Sequence, residues 1–243
     1  MRFFRPKTIT FQAFDEYVEA AESPPVSASE CMPEWYKKLP RYINNSDKPI
    51  KALGRKDLKT CAPFRDAMMS GYMILLPADV EVSISATGDV DVFCNRELTF
   101  EVVHKRGTLT EENQGFGMPH PVGTVPIMFA WAPLFGTGTN KSDSVLVTHP
   151  LNRNDLPFIT TSGIVDAGYF PFAGNIPFFI KEGFVGVIPK GTPIAQIIPW
   201  ERKNWVSKHL PSDRKKYSLA MTLVDTYLGG FYARFLRQPK SYK

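Results

Sequence analysis

The sequence predicts a mainly β protein, a barrel or a sandwich, carrying an irregular N-terminal arm and a C-terminal helical segment. Three observations point there. Twenty-one prolines and 17 glycines in 243 residues are too many for a helical bundle, because proline removes a backbone donor and glycine weakens a helix interior. Short apolar runs recur from residue 71 to 198 with turn residues between them. That spacing suits sandwiches and barrels better than alternating strands and helices. The apolar share of 43% and charged share of 22% are ordinary for a chain that folds around a core. The expected organisation is an arm over 1–60 packing on the core, a β-rich core over 61–200, and a basic helical segment over 201–243.

The elements follow in chain order. Phe11 to Glu22 reads as a short helix with Phe14, Tyr17 and Val18 on one side, ended by Ser23-Pro24-Pro25. Pro33 suits a first helical turn and Pro40 forbids its extension, so one short turn presents Trp35 and Tyr36. That pair reads either as a base-stacking platform or as aromatics clamping the arm. Gly71 to Pro77 is a buried strand. Val80, Val82 and Ile84 alternate with Glu81, Ser83 and Ser85, and after Ala86-Thr87-Gly88-Asp89 the alternation resumes at Val90, Val92 and Cys94. This is a hairpin with one wet face. Further strands are expected at 98–104, 125–131, 144–148, 163–165, 178–180, 185–188 and 194–198. Beyond Pro199, residues 205–210 and 217–236 read as helical, with Gly229-Gly230 leaving a strand reading open for the second.

Charge is unevenly placed. From Glu201 to Lys243 there are ten Lys or Arg against three acids, or +7, which leaves −2 for the other 200 residues of a chain whose net charge is +5. A basic segment of this kind reads as a solvated face, or as a surface for an acidic partner or nucleic acid. The longest apolar run, Val125 to Phe135, holds Pro126 and Pro133 and falls short of the roughly 20 residues that cross a bilayer. No membrane partner is expected. No apolar stretch follows the basic start, so a secretory signal is not expected and a cytoplasmic setting is.

Several chemistries find no support in spacing. Cys31, Cys61 and Cys94 are odd in number and far apart, and His104, His120, His149 and His209 are scattered, so neither a disulfide framework nor a metal site is expected. There is no G-x-S-x-G elbow. Residues 135–142, Phe-Gly-Thr-Gly-Thr-Asn-Lys-Ser, look like a phosphate cradle but lack the G-x-x-x-x-G-K-[ST] spacing and read as a flexible loop.

One linked set of signals remains. Gly163-Ile164-Val165-Asp166-Ala167-Gly168-Tyr169 is followed by Pro189-Lys190-Gly191-Thr192-Pro193-Ile194-Ala195-Gln196. Read blandly, the glycines supply turns, Ile164, Val165, Ile194, Ile197 and Ile198 are core, and Asp166 bonds the loop backbone. Over about 50 residues the pair resembles the latter half of the deoxyuridine triphosphatase and deoxycytidine triphosphate deaminase superfamily. The resemblance implies a distorted β-barrel of the β-clip type. It makes Asp166 the general base for an attacking water, places Tyr169 against a deoxyribose and sets Gln196 and Arg153 beside phosphates. Gly163 then lets the hairpin approach a base. It also implies a site shared between the subunits of a trimer, and Mg2+ if hydrolysis occurs. Two departures weigh against the reaction: Asn154-Asp155 stands where the superfamily has paired serines, and Pro193 where it commonly has arginine. A triphosphate would then lack the donors that compensate its charge.

A second resemblance spans the chain. Cys31 to Tyr36, Lys59 to Tyr72, Pro150 to Arg153 and the Ile-Pro-Lys-Gly-Thr-Pro-Ile-Ala-Gln run are similar to an uncharacterised family of bacteria and tailed phages, which implies such a source and leaves the biochemistry open. The expectation is a non-catalytic binding or assembly protein without a cofactor, acting in host cytoplasm or in a virion. Two alternatives stand beside it: a deoxynucleotide hydrolase or deaminase using Asp166, and a virion structural component. A nucleotide or other small anionic ligand would lie near Asp166, Tyr169 and Arg153, and the basic C-terminal segment would meet an acidic partner or the virion.

Overall fold

The computed structural model describes residues 7–14, 24–41, 58–94, 101–108, 120–169, 174–226, 231–238 and 240–242. These fall into two units. One is drawn from 1–28 and 71–202, the other from 29–70 and 203–243.

The first unit is mainly β. Its strands are β1 (Thr10–Ala13), β2 (Val26–Ser27), β3 (Tyr72–Leu75), β4 (Val80–Ile84), β5 (Val90–Cys94), β6 (Val103–Thr108) and β7 (Thr124–Trp131). They continue as β8 (Phe135–Gly138), β9 (Asp143–Thr148), β10 (Phe158–Thr160), β11 (Gly163–Val165), β12 (Ile176–Lys181), β13 (Gly186–Ile188) and β14 (Pro193–Glu201). Among the described residues they form four antiparallel sheets, in the orders β11-β9-β14-β3-β2, β10-β12-β7-β6, β13-β4-β5 and β1-β8, and no closed barrel.

Alternation in the sequence decides which side chains enter the core. In the β4-β5 hairpin, Val80 faces Cys94 and Ile84 faces Val90, the register that the Thr87-Gly88 turn allows. Val80 and Val82 are buried while Asp91 and Phe93 are exposed. The β7 and β12 strands supply the aromatic centre. Trp131 and Phe178 stack with centroids 3.6 Å apart, and Phe158 meets Trp131 edge-on at 5.2 Å. All three are fully buried, where such pairs add about 1 kcal/mol beyond the area they cover. Gly71 precedes β3 with φ at +73°, and a Cβ there would overlap the carbonyl oxygen of Ile197 on the neighbouring β14. Only glycine fits that approach.

The second unit is built from short helices. Pro33, in extended conformation, leads into α1 (Glu34–Lys38), and α2 (Ala62–Met68) carries a proline in its first turn. Tyr36 is buried and stacks on Phe64 with centroids 6.1 Å apart, while Trp35 meets it edge-on at 5.8 Å. The Tyr36 ring is therefore committed to packing within this unit. Later come α3 (Arg214–Thr226) and a π-helical turn over Tyr232–Leu236.

Several expectations change. The helix from Phe11 is instead β1 at its start, because residues 10–13 pair with β8 and Phe11 packs edge-on against Tyr72 at 5.1 Å; residues 15–23 lie outside the described residues. The stretch read as a flexible loop over 135–142 contains β8, whose backbone bonds go to β1. Residues 205–210 are irregular, and the helix expected from 217 begins at Arg214; residues 227–230, with Gly229-Gly230, lie outside the described residues. The strand expected at 98–104 runs over 103–108, its first part again outside the described residues. Among the described residues, no helix is long and apolar enough to cross a membrane.

Candidate functional site

Strand β11 pairs with β9 so that Val165 faces Val145. The chain then turns, with the Tyr169 backbone N–H donating to the Asp166 carbonyl at 3.0 Å. Gly168 lets this turn press on the 139–142 loop: a Cβ there would overlap the carbonyl oxygen of Asn140. The Asp166 carboxylate is thereby delivered to two partners. Ser144 Oγ donates to Oδ1 at 2.7 Å, and Arg202 Nη1 lies 3.2 Å from Oδ2.

Arg202 is itself fixed from three sides. Its backbone N–H donates to the Ser142 carbonyl at 2.9 Å, its Nη2 donates to the Lys141 carbonyl, and its guanidinium lies 5.2 Å from the centroid of the Tyr169 ring. Cation–π contact and ion pairing thus hold the same side chain. Tyr169 remains 66% exposed. Beside this cluster, Lys7 Nζ donates to Asp143 Oδ1 at 2.6 Å and lies 3.5 Å from Glu201. That hydrogen bond to Asp143 raises the Lys7 ammonium above its ordinary pKa.

The other three residues of the motif sit elsewhere in the same unit. Gln196 lies on β14, where its residue is fully buried, and its Oε1 accepts the backbone N–H of Leu151 at 2.8 Å. It staples the 150–155 turn to the sheet. Arg153 in that turn grips Asp155 with two nitrogens, Nε 2.9 Å from Oδ1 and Nη2 2.9 Å from Oδ2. The Arg153 carbonyl accepts from His149 Nε2 at 3.1 Å, while His149 Nδ1 accepts the Thr160 backbone N–H at 3.2 Å. Those two bonds set the tautomer as the neutral Nε2–H form. Gly163 has open space beside its Cα, and Ile164, expected in the core, is 66% exposed because β11 ends its sheet.

Four of the five motif residues therefore divide into two constellations, and Gly163 belongs to neither. Asp166 and Tyr169 share Arg202; Gln196 and Arg153 share the 150–155 turn. Ser144, Arg202 and His149 are the partners that sequence reasoning missed. Only the strand register places Ser144 and Arg202 beside a residue 22 or 36 positions away.

Chemically, the Asp166 cluster is suited to holding a turn in place. A general base works from a sheltered pocket. Here the side chain is 56% exposed and each oxygen has a partner. Among the described residues, no three of His, Cys, Asp or Glu gather as a metal set. A cavity of about 170 Å³ among the described residues of this unit is lined chiefly by Leu76, Pro133, Phe135 and Ile194, with Lys190 as its ionisable residue, and none of the five motif residues lines it. Comparison of the chain with protein-family models and with curated proteins gave no match.

Proposed function

We propose that the chain is a non-catalytic binding or assembly protein of phage or bacterial origin. It would use a β-clip scaffold that keeps the triphosphatase-like hairpin without its reaction. The observation that carries this reading is the engagement of the motif's polar groups with the protein itself. Asp166 is held by Ser144 and Arg202, Arg153 by Asp155, and Gln196 by the Leu151 backbone. Freeing a paired charge to meet a triphosphate would cost the ion pair that already satisfies it.

The test is incubation of the purified chain with each deoxynucleoside triphosphate and Mg2+, following pyrophosphate and ammonia. Neither product should accumulate. Turnover that Asp166→Asn abolishes would establish the hydrolase or deaminase alternative instead. Nucleotide binding without turnover is a second reading, favoured by the exposed Tyr169 ring beside Arg202. A thermal shift with deoxynucleotides that Tyr169→Ala removes would support it. The virion alternative is checked by mass spectrometry of purified particles, in which a structural component is present in stoichiometric amount.

A further inference from the structure

Residues 203–223 are all exposed, first as an irregular stretch and then as most of α3. They are not a plain solvated face. Trp205 is 86% exposed, and Val206, Leu210, Tyr217, Leu219 and Met221 are all open to water. Along α3, Tyr217 and Met221 form an apolar i,i+4 stripe of the kind helices bury, and Leu219 and Leu223 form a second one on the opposite side. A 13-residue helix is marginal in water unless such a stripe is covered. Its first turn is Arg214-Lys215-Lys216 with no acid, the sign that opposes the helix dipole. Apolar contact and negative charge at the N-terminal end are both needed by this arm.

A surface with both properties lies elsewhere in the chain. Residues 71–94 contain Asp79, Glu81, Asp89 and Asp91 and no Lys or Arg, a charge of −4, whereas 203–216 carry five Lys or Arg and Asp213, or +4. On the sheet β13-β4-β5, Val187 faces Glu81, and Glu81 faces Phe93, in one row across the outer side, with Asp91 in the next row. Val187 is 53% exposed, and Phe93 and Val185 are likewise open. Exposed apolar side chains interleaved with acids match an arm of exposed apolar side chains interleaved with bases.

We propose that the 203–226 arm of one copy docks on the outer face of the β13-β4-β5 sheet of a second copy, making the protein a homo-oligomer. The proposal rests on the assembly reading above but can fail without it, since the turnover assay says nothing about self-association. Nucleic acid would satisfy the arm's charge and leave its apolar stripe uncovered. The sheet face satisfies both. Reciprocal exchange closes a dimer, and head-to-tail exchange gives a ring where the rotation closes and an open filament where it does not.

Sedimentation velocity of the full chain across a concentration series tests this. Self-association that weakens as salt rises is expected. Lys215→Glu with Lys216→Glu, and separately Glu81→Lys with Asp91→Lys, should each weaken it by about tenfold or more in Kd. The four changes together should recover most of the loss. Phe93→Ser, with circular dichroism as the check on folding, should weaken association without changing its salt dependence. A chain that stays monomeric at every concentration overturns the proposal. So does association indifferent to both charge reversals, or an arm whose reversal removes only binding to an RNA or DNA oligonucleotide.

Discussion

Arg237 grips Asp66 from 171 positions away: its Nε lies 3.0 Å from Oδ1 and 2.9 Å from Oδ2, and its Nη2 lies 2.7 Å from Oδ1. Lys240 adds a bond of 3.0 Å to Oδ2. The Asp66 residue is only 6% exposed, and burial alone would push its carboxyl up. The Arg237 hydrogen bonds win, helped by Lys240, and hold it at about 2 against an ordinary 3.8. The folded state thus binds this proton less readily than the unfolded one. The stabilisation is complete above the unfolded value and is lost as pH falls toward about 2. Asp66→Asn should cost about 2 kcal/mol at neutral pH. Urea denaturation measures the loss, and faster amide exchange over 62–68 would localise it to α2.

His149 should give the second unfolding signature in acid. Burial, the largest influence, lowers its pKa, and the two bonds to Arg153 and Thr160 require the neutral ring. The unfolded imidazole takes up its proton first as pH falls. The stability of the β unit is therefore full above the ordinary value of 6.5 and declines below it. Denaturation midpoints between neutral and mildly acidic pH should fall for the natural chain, and the slope should flatten in His149→Gln. In a titration by NMR, the His149 ring protons should move only below the ordinary histidine value of 6.5.

The Asp166 turn makes a steric prediction. Gly168 stands against Asn140 so closely that a methyl group must push the turn and the 139–142 loop apart. Gly168→Ala should destabilise by roughly 1–3 kcal/mol and separate Asp166 from Ser144, visible as a rise in amide exchange at 166–169. Removing the Arg202 side chain, by Arg202→Ala, takes away the ion pair together with the Lys141 and Tyr169 contacts and should still cost only about 1 kcal/mol, because the Asp166 side chain is more than half exposed. A larger loss from the exposed pair than from the glycine would reverse this account of what holds the turn.

Strands whose pattern is local were legible in the sequence. The β4-β5 hairpin announces itself through two-residue alternation around Thr87-Gly88, and β11 through Gly163-Ile164-Val165 between polar residues. Elements that depend on a distant partner were not. Phe135-Gly136-Thr137-Gly138 has low strand propensity by composition, yet pairing with Thr10–Ala13 makes it β8. Phe11 shows helical spacing with its neighbours, yet cross-strand bonds and the contact with Tyr72 outweigh that preference. At the candidate site, Asp166, Tyr169, Gln196 and Arg153 were visible as a motif. What they do depends on Ser144, Arg202, Leu151 and Asp155, of which only Asp155 is a near neighbour. Residues 29–70 and 203–243 group as one unit through contacts such as Asp66 with Arg237, which no local periodicity encodes.

The start of α3 carries a prediction that separates a cap from a charge. Asp213 Oδ1 accepts the backbone N–H of Lys216 at 3.0 Å, and its carbonyl accepts that of Tyr217 at 3.1 Å, which is how an N-cap satisfies the open end of a helix. The residues 214–223 of α3 are all exposed, so little packing compensates for a lost cap, and about 1 kcal/mol is enough to shift a marginal helix. Asp213→Ala should lower the helical circular dichroism signal and weaken self-association together. Asp213→Asn keeps the capping oxygen while removing the negative charge beside Arg214, Lys215 and Lys216. It should retain the helix, because asparagine caps about as well as aspartate. It should also bind the acidic sheet face of a second copy at least as tightly as the natural chain does, since the arm gains net positive charge. If Asp213→Asn instead behaves like Asp213→Ala, the carboxylate acts through its charge, and the cap is not what holds this helix.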